Sequence, residues 1–160
     1  MKRILFLFTV LALSAVAAAP VMAQDNPFVG TWKLNVAKSK FAGTPAPKSS
    51  TRTVVAEGAG AKYSFETVTA DGTTNSYSFT TNYDGKDAAI SGAGMPGGAD
   101  TIALKRVSSH KATGTLKKGG TEVGTAEAEV SKDGKVTTVK TKGKGPDGKE
   151  IEATSVYDKQ

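Results

Sequence analysis

Apolar and polar residues alternate with a period of two along most of the chain after residue 23. Tyr63, Phe65 and Thr67 alternate with Lys62, Ser64 and Glu66, and Tyr77, Phe79 and Thr81 with Ser76, Ser78 and Thr80. Ile102 and Leu104 alternate with Thr101, Ala103 and Lys105, and Ile151, Ala153 and Ser155 with Glu150, Glu152 and Thr154. Successive side chains of a strand point to opposite faces, so this pattern predicts half-buried antiparallel strands. No convincing helical stripe appears in this part of the chain, and its Thr and Val content favours extended backbone.

The punctuation between the alternating stretches agrees. Asp-Gly occurs at Asp71-Gly72, Asp84-Gly85, Asp133-Gly134 and Asp147-Gly148, and Gly119-Gly120 adds a fifth pair. These residues supply the positive φ angles of two-residue hairpins, so each pair predicts a chain reversal. The resulting strands fall at 30–36, 50–57, 61–70, 74–82, 86–91, 100–107, 111–118, 121–131, 135–143 and 150–157. Two connections are longer: 37–49, with Pro45 and Pro47, and the Gly-rich 91–99, which reads as slack in preference to a lid. Consecutive strands joined by tight turns predict an all-β, antiparallel up-and-down meander of about 8–10 strands. Closure into a barrel buries one face and removes the open edges.

A different pattern precedes residue 24. Lys2 and Arg3 lead into an apolar run from Ile4 to Ala19, and Val21-Met22-Ala23 places small residues where a signal peptidase needs them. Residues 1–23 are therefore expected to be a signal peptide and 24–160 a single barrel domain, periplasmic or secreted. The apolar run is shorter than the roughly 20 residues that span a bilayer, so no transmembrane segment is expected after cleavage. An outer-membrane barrel fits poorly, because the strands are short of the roughly 9–11 residues required and their polar faces carry Lys and Glu. The expectation is a soluble barrel, and a monomer.

Composition narrows the chemistry. The chain has no cysteine and one histidine, which excludes thiol catalysis, disulfides, cysteine-ligated metals and two-histidine sites. Leu, Ile, Val and Phe fill only 21 of the 137 positions from residue 24 onward, yet the net charge of this part is only +4, too small to hold it unfolded. The charge is uneven: residues 105–144 carry ten Lys or Arg against four acids. Lys140, Lys142 and Lys144 share one strand face by parity, with Lys117 and Lys118 nearby; the stripe suits an anionic surface or lipid, but a solvated basic face that discourages edge pairing is the preferred reading. Aromatic interleaving for base stacking is absent from 108–156, so nucleic acid is not an expected partner.

The segment Asn26-Pro27-Phe28-Val29-Gly30-Thr31-Trp32-Lys33-Leu34 resembles the Gly-x-Trp start of the first strand in lipocalins and the wider calycin group. The run Trp32 to Phe41, with Tyr83-Asp84-Gly85-Lys86, Leu104-Lys105-Arg106 and Ser131-Lys132-Asp133-Gly134-Lys135, also resembles a family of small exported bacterial proteins. The lipocalin resemblance implies a barrel whose narrow end is closed by Trp32, with a basic side chain packed across the indole. Arg106 and the lysines of the last strands are the candidates for that basic group.

Candidate chemistry is sparse. His110, between two predicted strands, is either a haem ligand or a turn residue, and the turn reading is preferred. Glu127 and Glu129 share a strand face and Glu66 would lie across the barrel, the only carboxylate grouping that suggests acid–base catalysis. Asp84 and Asp133 read as turn residues, without the ligand series of a calcium loop. The chain is expected to have no enzymatic activity, cofactor or metal. The best candidate site is a ligand-binding wall of Tyr63, Phe65, Tyr77 and Phe79, with Ile102 and Leu104 on a further strand. Small residues at Ala112, Gly114, Thr125 and Ala153 would face it and leave room for a small, largely apolar molecule.

Overall fold

The computed structural model describes residues 26–145 and 148–160, so the leader expected at 1–23 and the turn residue Asp147 lie outside the described residues. The chain forms twelve antiparallel strands there. They are β1 (Gly30–Leu34), β2 (Lys40–Ala42), β3 (Ser49–Glu57), β4 (Gly60–Val68), β5 (Thr74–Thr81), β6 (Asp84–Ala89), β7 (Ser91–Gly92), β8 (Thr101–Arg106), β9 (Lys111–Lys118), β10 (Thr121–Val130), β11 (Val136–Lys144) and β12 (Glu150–Lys159). Ten of these match the alternating stretches. The two short ones, β2 and β7, lie within the longer connections, each beside a single 3-10 turn, at Val36–Lys38 and Pro96–Gly98. No helix among the described residues is long and apolar enough to cross a membrane.

The strands run in the order β6-β8-β9-β10-β11-β12-β1-β3-β4-β5-β7, with β2 added to β12. Because β1 pairs with both β3 and β12, the meander curls into a nearly closed barrel. Its seam lies between β5 and β6, which are adjacent without a ladder between them. The reason is local. Tyr83 adopts a positive φ of 57°, costly for an aromatic residue, and Gly85 follows at 79°. The register slips between Asp84 and Asp87. The chain reverses between Thr81 and Asp84, as expected there, and Asp84-Gly85 then forms a bulge at the start of β6. Gly119 (φ 55°) and Gly120 (φ 81°) do form the expected two-residue hairpin.

Parity sorts the side chains. Trp32, Leu34, Arg52, Val54, Tyr63, Phe79, Ile102, Leu104, Ala112, Leu116, Val130, Thr137 and Tyr157 all point inward and are buried. One end is plugged by the lead-in to β1. Phe28 is fully buried, and the Trp32 Nε1–H donates to its carbonyl at 2.9 Å. The opposite end is crossed by residues 90–100. Gly92 pairs with Tyr77 on β5, Ala99 is buried, and the Asp100 amide donates to the Lys117 carbonyl at 2.9 Å. The Gly-rich connection read as slack is therefore an anchored cap. Thr125 differs from expectation as well: it faces outward and is exposed, while Gly124 and Ala126 take the inward positions.

Candidate functional site

The four aromatic residues expected to form a wall do so. Tyr63 stacks on Phe79 with ring centroids 5.0 Å apart, and Phe65 on Tyr77 at 4.5 Å. Phe65 and Phe79, at 6.3 Å, join the two pairs into one ladder across β4 and β5. The ladder is graded. Tyr63 and Phe79 are buried, as are Ile102 and Leu104 on β8, whereas Phe65 and Tyr77 stay half-buried although they face inward. The facing wall is partly filled: a Cβ at Gly114 would meet Leu104 Cδ1 at 3.0 Å and Ile102 Cδ1 at 3.4 Å. The absence of a side chain at Gly114 thus makes room for Ile102 and Leu104 themselves.

Arg52 stands at the centre of this interior. It occupies one cross-strand rank with Trp32, Phe65 and Tyr77, since Trp32 pairs with Arg52, Arg52 with Phe65 and Phe65 with Tyr77. Arg52 is 1% exposed and its guanidinium lies over three rings: Tyr63 at 5.4 Å, Trp32 at 5.7 Å and Tyr157 at 5.9 Å. Cation–π attraction of this kind offsets only part of the cost of removing a charge from water. Neither Nε nor Nη2 has a hydrogen-bond partner among the described residues, and the same is true of Thr137 Oγ1. Burial disfavours the charged form of Arg52, and the groups acting on it electrostatically are tyrosines: Tyr63, Tyr157, Tyr83 and Tyr77. Burial likewise raises the phenol pKa values of Tyr63 and Tyr77 far above their usual range, so both rings remain neutral.

The parity of β3 was the available signal for Arg52. Ser50, Arg52 and Val54 share a face, and Val54 is an evident core residue, so the intervening arginine must turn inward with it. The basic group packed over Trp32 is also resolved. Lys159 Nζ lies 5.1 Å from the indole centroid, one of the last-strand lysines expected there. Arg106 instead stacks on Tyr83 at 4.1 Å and donates to Asn26 Oδ1 at 3.1 Å, sealing the plugged end.

The other candidates fall outside the barrel. Glu66 is exposed on the outer face, and Glu127 pairs with Lys111 at 3.0 Å, so the carboxylates expected to converge inside do not meet. His110 sits in the β8–β9 turn with its Nδ1 2.9 Å from Ser109 Oγ. Asp84 and Asp133 accept from the amides of Lys86 and Lys135, as turn residues do. No grouping of three or more metal-ligating side chains occurs among the described residues. The lysine stripe is partly neutralised, because Lys142 pairs with Glu152 at 3.2 Å.

Two open clefts border the barrel. One, of about 540 Å3, runs along the β3–β5 wall, bordered by Phe65 and Tyr77 and by the outward-facing Thr51, Ser64 and Ser78. The other, of about 680 Å3, lies at the capped end between Gly97, Val123, Lys142 and Ile151. No family model, no curated protein and no solved structure matches this chain.

Proposed function

We propose that this protein is an exported, non-catalytic binding barrel of lipocalin-like type, holding a small, largely apolar molecule against Phe65 and Tyr77. One observation carries the reading. These two stacked rings face the interior yet remain half-buried, as do the inward-facing Phe41, Ala128 and Val139 on β2, β10 and β11. Close packing leaves few large rings partly uncovered on an inward face, so the pair offers a ready apolar contact. Tyr63, Phe79, Ile102 and Leu104 act as the rigid support behind it. Recognition of an anionic surface by the outer lysines is less well supported, because Lys111, Lys117 and Lys142 each have a carboxylate partner.

Titration with a fatty acid or a retinoid-like probe, read by Tyr and Trp fluorescence, tests this. Phe65→Ala and Tyr77→Ala should each weaken binding by about tenfold, the effect of losing roughly 1.4 kcal/mol of apolar contact. Val55→Ala, on the exposed outer face, should leave affinity unchanged. Equal affinity in all three variants, or no binding of any probe, would refute the assignment.

A further inference from the structure

The two unpartnered nitrogens of Arg52 lie on one edge of its guanidinium. The Nε–H and Nη2–H bonds of that edge run parallel and match the two oxygens of a carboxylate, the side-on arrangement in which arginine binds acids most strongly. Among the described residues nothing accepts from this edge. A buried arginine stays protonated, so the charge needs a partner that the barrel wall does not provide. Hydroxyl groups line the neighbouring interior. Thr137 has an unpartnered hydroxyl, and it is the cross-strand neighbour of Tyr157, whose ring lies against Arg52. The Tyr157 hydroxyl reaches Ser50 Oγ at 3.5 Å, and Ser50 in turn meets Thr67 Oγ1 at 2.8 Å. Arg52 pairs directly across the ladder with Phe65, and Phe65 and Tyr77 are the inward rings beside it that remain partly open.

We infer that the Nε–Nη2 edge of Arg52 binds the carboxylate of an amphipathic acid whose apolar body lies along Phe65 and Tyr77. This rests on the binding-barrel reading and names its ligand class: a monocarboxylate with an apolar tail. Such a ligand satisfies the charge and the uncovered rings together, which neither a neutral lipid nor a bare anion does.

The test compares dodecanoate with dodecanol on the full exported chain at neutral pH, by calorimetric titration. The acid should bind at least about tenfold more tightly than the alcohol, in line with the worth of charge-assisted hydrogen bonds. Arg52→Met should bring the two probes to within about threefold of each other, while Arg52→Lys, which keeps the charge and loses the fork, should retain only part of the preference. Equal affinity of acid and alcohol for the unaltered protein overturns the carboxylate inference and leaves the binding barrel standing. This comparison needs no variant, so a misfolded Arg52→Met does not protect the idea. Binding of neither probe overturns both. Acetate that raises the unfolding temperature as much as dodecanoate would also overturn it, by reducing the site to one for small anions.

Discussion

Trp32 and Arg52 are neighbours of opposite character. The indole is fully buried, its N–H is bonded to Phe28, and Lys159 and Arg52 both pack against its ring. Everything about it is satisfied, so Trp32→Ala should destabilise the protein by about 3–5 kcal/mol, measured by denaturant unfolding. A loss under about 1 kcal/mol would mean that the plugged end is not a packed floor. Arg52 is buried to the same degree but carries a charge with two unmet donors. Its replacement by methionine removes a desolvation cost and keeps the volume. Arg52→Met should therefore leave the ligand-free protein as stable as before, or more so, the usual sign that a residue is kept for binding. A loss above about 2 kcal/mol would indicate that its stacking on Trp32, Tyr63 and Tyr157 is its purpose. The contrast was only half legible beforehand. Gly-x-Trp pointed to Trp32 directly, whereas Arg52 stands in the polar run Thr51-Arg52-Thr53 and turns inward only by parity with Val54.

At the scale of elements, the long strands were readable because alternation and turn residues act within a few positions of each other. What escaped is set by distant partners. β2 exists because Lys40–Ala42 meets β12, and β7 because Gly92 meets Tyr77, and neither segment has a pattern of its own. Asp84-Gly85 marks the reversal from β5 to β6, but the positive φ of Gly85 serves a bulge just after the turn, and only the pairing of β6 with β8 shows that. The turn aspartates carry a pH signature. The carboxylates of Asp71 and Asp133 sit below their usual 3.8 chiefly because Thr69 and Ser131 donate side-chain hydrogen bonds to them, and that of Asp84 because the Lys86 amide donates to it. A folded-state pKa lowered in this way stabilises the protein above the unfolded value, and the contribution disappears as pH falls through the folded value. The unfolding temperature should thus hold down to about pH 4 and drop below it. Asp133→Asn should flatten that drop, and a decline that begins well above pH 5 would contradict the assignment.

For the molecule as a whole, the fold gives each end of the barrel a different job. Phe28, Arg106 and Tyr83 seal one end with rings and hydrogen bonds. The other end is crossed by a cap anchored at Gly92 and Asp100, beside a cleft, with the half-open rings of Phe65 and Tyr77 between the two ends. Architecture was legible in the sequence because it follows from a repeated local rule. The site was legible only as an aromatic wall, since which rings are covered depends on the cap and on Ile102 and Leu104, contributed by later parts of the chain. The central claim, that this interior holds a small amphipathic molecule, is tested most directly by native mass spectrometry of the protein taken from the exported fraction of its own host. The account predicts a mass above that of residues 24–160, and denaturation should release a single class of small acid with an apolar body. A native mass equal to the bare chain would contradict it.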